Sequence, residues 1–293
     1  MELPSKPDHL HNLEFVRILT PYVFIKDITK NKSVLDIGSG SGHGTWLMAA
    51  EGARSVSSLD CDRDKSQKIQ KMCANVNNCY ATAMDAQAIG FKDGSFQVVT
   101  CFEVIEHIEN PRILISEVRR ILRRDGFLIL TTPNRAMRLL PLQSPWNREH
   151  FREYRRQSLR RHLQEEFPWC EVLGVYGNPV FHNYYRRMWK QNPFRVYFSK
   201  IRGMVRMLIP SSIRRWIMTC FDYGTVDIGA SPPGIVNTPI PVPEQEMWPF
   251  YIGEVNNKCL NYLVICGFDR QIIRDVANKI VRSIYSNKKE CSV

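Results

Sequence analysis

The chain is 293 residues long, 44% hydrophobic and basic, with a formal net charge of +11 at pH 7. This hydrophobic content supports a packed core, and the length exceeds the roughly 100–200 residues of one typical domain, so we expect a core with a sizeable insertion. The first residues contain no apolar run, and no stretch reaches about 18 uncharged apolar residues. We therefore expect a soluble cytoplasmic protein with neither a signal peptide nor a membrane-spanning helix.

The nine cysteines are scattered along the chain, odd in number and without a C-x-x-C pair. This distribution disfavours both a disulfide framework and a cysteine zinc site.

The first predicted element is a helix within residues 1–30. Its apolar pattern, Leu13, Phe15, Val16, Leu19 and Val23, indicates a helix that packs on a sheet or covers a bound ligand.

The next element, Val34 to Ile37, is a short apolar strand that runs into a turn rich in glycine. Glycine lets a backbone turn sharply and approach a ligand, and the helix predicted from Thr45 points unpaired N–H groups at that ligand. The dinucleotide fingerprint G-x-G-x-x-G is weakened because His43 stands where its last glycine would be. Asp36 suits a ligand with a cationic amino-acid end better than a pyrophosphate.

This turn resembles motif I of the class I S-adenosylmethionine-dependent methyltransferases. Four later segments are also similar to that family in order: Ser55–Asp60, Ala83–Gln87 with the turn after it, Phe96–Ile108 and Gly126–Asn134. The resemblance implies S-adenosylmethionine as the cofactor, with Asp60 on the ribose hydroxyls and Asp85 facing the adenine amino group. The full set of cofactor-binding residues that we predict is Asp36, Gly38, Ser39, Gly40, Gly42, Asp60, Cys61, Asp85, Ala86, Gln87, Phe102 and Glu103.

The fold predicted is an α/β, Rossmann-like, doubly wound sheet of seven strands with a helical insertion. From Val34 to Gly177, β-branched runs alternate with helical ones, which favours parallel strands joined by helices. The resemblance implies an antiparallel last strand, which we assign to 261–268. We expect a methyltransferase core at 1–180, a basic helical and proline-rich insertion at 181–250, and a return to the core at 251–293 with the last strand and a C-terminal helix.

The catalytic candidates follow the fourth strand, because ligands bind at the carboxyl ends of parallel strands. His107 fits a general base near neutral pH, with Glu103, Glu106 and His150 close to it. The alternative is that Glu106 and His107 only orient the loop.

Glu103, Glu106 and His107 also stand at E-x-x-E-H spacing. This segment is similar to the metal-binding segment of small-RNA 2′-O-methyltransferases and of certain quinone O-methyltransferases, in which a downstream histidine, here His150, would complete the site. Relatives with the same Glu-His pair use no metal, so we assign no metal ligand and prefer His150 as a contact to the substrate.

Residues 146–177 resemble a bacterial subgroup of type 11/12-like methyltransferases associated with glycan modification. The resemblance implies O-methylation of a sugar, a lipid-linked acceptor or another hydroxylated small molecule. The alternatives are a metal-assisted enzyme similar to RNA 2′-O-methyltransferases and a cofactor-binding protein without catalysis.

The insertion carries nine arginines and lysines and no acid between Tyr184 and Phe221. We interpret it first as a cap over the acceptor pocket that attracts anionic acceptors. An amphipathic basic helix also suits a peripheral contact with an anionic membrane or a lipid-linked glycan. Nucleic acid is disfavoured as a partner because no recognisable binding module is present.

Overall fold

The structure is a computed structural model, and it describes residues 7–139, 144, 145, 147, 149–177, 250–256 and 258–285. Its strands are β1 (Ser33–Ile37), β2 (Ser55–Asp60), β3 (Cys79–Ala83), β4 (Phe96–Phe102), β5 (Leu122–Pro133), β6 (Trp169–Gly177), β7 (Phe250–Glu254) and β8 (Asn261–Gly267). Its α-helices are α1 (Pro7–Thr29), α2 (His43–Ala50), α3 (Arg63–Met72), α4 (Pro111–Ile121), α5 (Arg135–Arg138), α6 (Arg156–Gln164) and α7 (Arg270–Tyr285). A 3₁₀ turn, Ile105–His107, follows β4.

The strands form one sheet in the order β3-β2-β1-β4-β5-β8-β6-β7. Strands β1 to β5 pair in parallel, and β8 lies antiparallel between β5 and β6. The predicted Rossmann-like class and the antiparallel closing strand at 261–268 are therefore confirmed. The described sheet has eight strands instead of seven, since β7 pairs antiparallel with β6 at the edge. This five-residue strand was missed because its segment, F-Y-I-G-E, is short, contains glycine and follows a proline-rich stretch.

The side chains of β1 divide between the two faces of the sheet. Val34 joins the core under α1, α2 and α7, whereas Leu35 and Ile37 join the core under α4 and α6. Because side chains alternate along a strand, Asp36 points to the same face as Val34, toward α1 and α2. This register places a carboxylate in the middle of a buried layer.

Cys73 and Cys79 form a disulfide that links the end of α3 to the start of β3. The expectation that disulfides are disfavoured is wrong for this pair. The turn between α3 and β3 returns the chain so that the two Cα atoms lie 5.8 Å apart. A rule based on C-x-x-C spacing does not detect such a return, because the two cysteines are six residues apart.

The predicted insertion falls almost entirely outside the described residues, which resume at Phe250. Its cap, its amphipathic helices and the domain bounds at 180 and 250 stay predictions. Among the helices that the structure does describe, none combines the length and the apolar character needed to span a membrane.

Candidate active site

The glycine loop, residues 38–42, joins β1 to α2 at the carboxyl edge of the sheet. Gly38 and Gly40 have φ angles of 68° and 54°, in the left-handed region that side chains disfavour. A Cβ at Gly38 would lie 2.3 Å from a methyl carbon of Val104, whereas a Cβ at Gly40 would meet only one backbone oxygen, at 3.9 Å. The loop is therefore packed against the segment after β4 at Gly38 and faces open space at Gly40.

Asp36 lies behind this loop and is fully buried. Its carboxylate accepts hydrogen bonds from the hydroxyls of Tyr22, Thr45 and Thr100 at 3.0, 2.6 and 2.7 Å. Burial raises the pKa of Asp36 to about 6, against the opposing effect of these three donors. Asp36 thus joins α1, α2 and β4 to β1, and its contact with a ligand stays a prediction.

The acids after β2 and β3 line the same edge of the sheet. Asp60 Oδ2 accepts from the backbone N–H of Gly40 at 3.1 Å, and its Oδ1 accepts from the N–H of Asp62 at 3.0 Å. Asp85 is exposed, and its Oδ1 accepts from the N–H of Gln87 at 2.8 Å. The side chain of Cys61 is exposed, Ala86 is buried and Gln87 is half-buried.

Ser39 adds a direct sign of a missing partner in the glycine loop. Its Oγ is buried and has no hydrogen-bond partner within the part of the chain that the structure describes. A buried hydroxyl without a partner is costly, so a ligand that supplies one would be favoured here.

Glu103 and Phe102 stand at the carboxyl end of β4. The ring of Phe102 packs edge-on against Tyr22, with centroids 4.6 Å apart. Glu103 has a φ of 56°, unusual for a residue other than glycine. Its carboxylate accepts from three side chains that lie on α1, β5 and β8: Arg17 at 3.1 Å, Thr131 at 3.0 Å and Asn261 at 2.7 Å.

Glu106, in the 3₁₀ turn, is fully buried. Its Oε2 accepts from the hydroxyl of Thr132 at 2.9 Å, and its Oε1 has no partner among the described residues. Burial raises the pKa of Glu106 well above its usual value, and the nearby charge of Glu103 raises it further.

His107 and His150 pack edge to face, with ring centroids 4.6 Å apart and planes at 87°. The backbone N–H of Phe151 donates to the carbonyl of Glu106 at 2.9 Å, which holds the segment of His150 against the turn of His107. Burial and the neighbouring His150 lower the pKa of His107 below its usual value. His107 is therefore neutral at pH 7 and able to accept a proton.

Three of the predicted residues converge in a group that we call the Glu–His cluster: Glu106, His107 and His150. One ligand-type atom from each lies within 4.8 Å of the others. A carboxylate with two imidazoles is a donor set that suits a divalent ion. Glu103 does not belong to the cluster, since its carboxylate is bonded to Arg17, Thr131 and Asn261.

Sequence reasoning missed several partners of these groups. Tyr22 and Thr100 reach Asp36 from 14 and 64 residues away, so no local pattern could connect them. Glu153 was also missed, although it lies three residues after His150, and its Oε1 is 3.3 Å from His150 Nδ1. The three-residue spacing between His150 and Glu153 was the one local signal for this contact.

Comparisons with known proteins identify relatives of this chain. Residues 11–166, just over half of the chain, match a family model for a methyltransferase domain. The ubiquinone biosynthesis O-methyltransferase of Glaesserella parasuis is 30% identical over 201 residues, which cover 61% of this chain and 82% of that enzyme. A protein of the same name from Xanthomonas campestris is 32% identical over 135 residues, or 45% of this chain, and the chain spans only 54% of it.

Two solved structures are 16% and 12% identical to this chain, and at such low identity they show its fold alone. The YcgJ protein of Bacillus subtilis has a TM-score of 0.50 and 16% identity, and covers 86% of this chain and 98% of its own. The 4+2 cyclase SpnF has a TM-score of 0.52 and 12% identity, and covers 86% of this chain and 80% of its own. Since one of these proteins is a cyclase by name, activity has to be argued from the site.

Proposed function

The chain belongs to the class I S-adenosylmethionine-dependent methyltransferases, and we propose that it methylates a hydroxyl oxygen of a small-molecule acceptor, with a phenolic hydroxyl preferred. The observation that carries this proposal is the Glu–His cluster, which follows the strand next to the glycine loop. Val104, between Phe102 and the cluster, packs on Gly38. Cofactor and acceptor would therefore lie side by side at one edge of the sheet.

The cofactor is S-adenosylmethionine, and the residues at the glycine loop fit it. Open space at Gly40 accommodates a close ligand, and the unpartnered Oγ of Ser39 can bond to it. Asp60 stands at the end of β2, where a carboxylate can accept from ribose hydroxyls. When bound, the cofactor supplies an electrophilic methyl group on a sulfonium centre, and Gly40, Ser39 and Asp60 bind and orient it.

His107 is the proposed general base. Its lowered pKa leaves a neutral imidazole at pH 7 that can take the proton of an acceptor hydroxyl as the new bond forms. A neutral imidazole deprotonates a phenol, whose pKa is about 10, far more readily than an alcohol, whose pKa is closer to the value of about 15.7 for water. This difference favours a phenolic acceptor over a sugar.

The names of the relatives agree with a hydroxylated small molecule as acceptor. Two similar proteins are named ubiquinone biosynthesis O-methyltransferases. Their names concern those enzymes, and the acceptor of this chain is a proposal. A sugar, a lipid-linked glycan and RNA are the competing acceptors, and an inactive cofactor-binding protein is the remaining alternative.

Metal-assisted methyl transfer is a second candidate, favoured by the Glu–His cluster itself. Glu106 has a buried carboxylate oxygen without a partner in the described residues, and two imidazoles lie within reach. A divalent ion held by Glu106, His107 and His150 would act as a Lewis acid on the acceptor hydroxyl. In that case His107 would serve as a ligand and not as the base.

Radiolabelled methyl transfer tests these candidates. The purified protein would be incubated with labelled S-adenosylmethionine and one acceptor each time: catechol, 3,4-dihydroxybenzoate, glucose, undecaprenyl-linked sugar or a short RNA. We expect label on the two phenols. Label on the sugar, the lipid-linked sugar or RNA alone would overturn the phenolic preference, and cofactor binding without any transfer would support the inactive alternative.

A chelator separates the two mechanisms. After dialysis against EDTA, unchanged transfer supports His107 as the base. Loss of transfer that Mg²⁺, Mn²⁺ or Zn²⁺ restores supports the metal-assisted candidate. Calorimetric titration of the same ion into wild type and Glu106→Gln then shows whether the cluster binds it.

A further inference from the structure

Glu153 is a buried acid with no part in the proposed reaction, and it lies directly behind His150. Its side chain is 0% exposed and that of His150 is 6% exposed. Glu153 Oε1 lies 3.3 Å from His150 Nδ1 and 3.6 Å from Arg138 Nε. The second oxygen, Oε2, is buried and has no hydrogen-bond partner among the residues that the structure describes.

We propose that Glu153 is a positioning residue, which fixes the tautomer and ring orientation of His150 for the Glu–His cluster. An ionised carboxylate accepts hydrogen bonds and cannot donate one. With Glu153 ionised and His150 neutral, the ring nitrogen that faces the carboxylate, Nδ1, carries the imidazole hydrogen. Nε2 keeps its lone pair and is the nitrogen that His150 can offer to an acceptor proton or a cation.

The effect extends to His107 through ring packing. The His107 and His150 rings meet edge to face at 4.6 Å, so a rotation of His150 about its χ angles would remove the surface that His107 packs on. Glu153 thereby sets the geometry of both imidazoles without touching a substrate itself. An acid that hydrogen-bonds the far nitrogen of a functional histidine serves this purpose in other sites.

An ion pair with Arg138 alone would not require His150 Nδ1 on the same carboxylate oxygen. Burying a carboxylate is costly, and an apolar side chain of similar length would fill the space without that cost. Glu153 is buried all the same, with His150 and Arg138 on the same oxygen. The inference rests on the proposed function only in the sense that the cluster works on the acceptor, since the tautomer of His150 can be measured without any reaction.

Two variants with side chains of similar length separate the effect of the hydrogen-bond acceptor from the effect of the negative charge. Glu153→Gln keeps an oxygen that can accept from Nδ1–H, whereas Glu153→Met removes the acceptor. Glu166→Gln is the matched control, because Glu166 pairs only with an exposed arginine, Arg119, in the contacts described. The seven histidines of the chain make selective ¹⁵N-histidine labelling practical, and His150→Gln identifies the His150 signals by their loss.

Long-range ¹H–¹⁵N spectra report which nitrogen is protonated. We expect the Nδ1–H tautomer for His150 in wild type, in Glu166→Gln and in most molecules of Glu153→Gln. Glu153→Met should show a mixture of tautomers, with methyl transfer to catechol reduced about 10-fold or more in kcat and an unchanged affinity for S-adenosylhomocysteine. A His150 protonated at Nε2 in wild type, or a tautomer unaffected in Glu153→Met, would overturn the proposal.

Failure of the proposed function and failure of the proposed role of Glu153 give different results. If no acceptor is methylated but the tautomer shifts as expected, the proposed function fails and the role of Glu153 stands. If Glu153→Met does not fold, the wild-type tautomer still decides the question, since an Nε2–H tautomer in wild type contradicts the proposal.

Discussion

The hydroxyl of Tyr22 donates to Asp36 Oδ1 at 3.0 Å, and this bond ties α1 to the strand that leads into the glycine loop. Both groups are buried, and Tyr22 also packs on Phe102 at the end of β4. The N-terminal helix is therefore tied both to the core and to the strand that leads into the proposed cofactor site. Arg17, five residues earlier, reaches Glu103 from the same helix.

Removing the Tyr22 hydroxyl should weaken both the fold and cofactor binding. In Tyr22→Phe, the buried carboxylate of Asp36 loses one of three donors, which should lower the free energy of unfolding by about 2 kcal/mol. The affinity for S-adenosylhomocysteine should fall severalfold because the loop is less firmly held. Urea denaturation and calorimetry measure the two effects.

Tyr80→Phe is the control, since the Tyr80 ring is 57% exposed and its hydroxyl donates only to a nearby carbonyl in the contacts described. Equal stability of Tyr22→Phe and wild type would refute the role assigned to this bond.

Gly40 should matter for the ligand more than for the fold. Gly40→Ala and Gly94→Ala both place a side chain at a positive φ, 54° and 63°, and neither new Cβ would meet a close atom. Each should cost about 1–2 kcal/mol of stability. We expect only Gly40→Ala to lose affinity for S-adenosylhomocysteine, because its Cβ would occupy the ligand space.

Thermal unfolding with and without the ligand compares the two alanine variants. A ligand-induced rise in Tm that is as large in Gly40→Ala as in Gly94→Ala would contradict the predicted binding position.

Asp36 should make stability fall as the pH rises through the acid range. Its pKa is about 6 in the folded protein and near 3.8 when unfolded, so the folded state holds its proton over a window in which the unfolded state has lost it. The stability due to this group is fully present below pH 3.8 and is lost as the pH rises to about 6. Denaturation midpoints between pH 4 and 8 should fall less steeply in Asp36→Asn than in wild type, and the slope that remains comes in part from Glu106, whose pKa is also raised.

Asp62→Asn provides the comparison, because hydrogen bonds to the backbone lower the pKa of Asp62 and its titration lies below this window. Asparagine keeps a side-chain oxygen that can cap α3, so this variant should show no change in the slope between pH 4 and 7. If Asp36→Asn keeps the wild-type slope, the assignment to Asp36 fails.

The insertion should govern the acceptor and not the cofactor. Deleting 184–221 and bridging the gap should leave the affinity for S-adenosylhomocysteine unchanged while turnover of an anionic acceptor such as 3,4-dihydroxybenzoate falls. The reason is the loss of nine positive charges, which would otherwise raise the local concentration of anions. Turnover that survives the deletion would contradict a cap, and loss of binding to anionic vesicles alone would indicate a membrane contact instead.

Much of the fold was predictable because it depends on local patterns. The helix within residues 1–30, the apolar strand before Gly38 and the acid at the end of β2 each follow from residues close in sequence. Strand β7 was not predictable in this way, since five residues at an edge acquire their structure from β6. The disulfide between Cys73 and Cys79 depends likewise on a turn that brings two segments together.

The site was predictable as a set of residues and not as a network. Glu106, His107 and His150 were each expected near the acceptor, and the structure brings them together. The sequence gives no sign that Glu103 would instead bond to Arg17 and Asn261, because these partners lie 86 and 158 residues away. Burial of Glu106 is equally a result of tertiary packing.

The central claim is that His107 takes part in methyl transfer to oxygen, and His107→Ala tests it most directly. His162→Ala is the control, since His162 lies on α6 and bonds to the carbonyl of Ser158. With catechol as acceptor, we expect kcat/KM to fall about 100-fold or more in His107→Ala, with the affinity for S-adenosylhomocysteine and the activity of His162→Ala close to wild type. Wild-type turnover in His107→Ala would contradict the account.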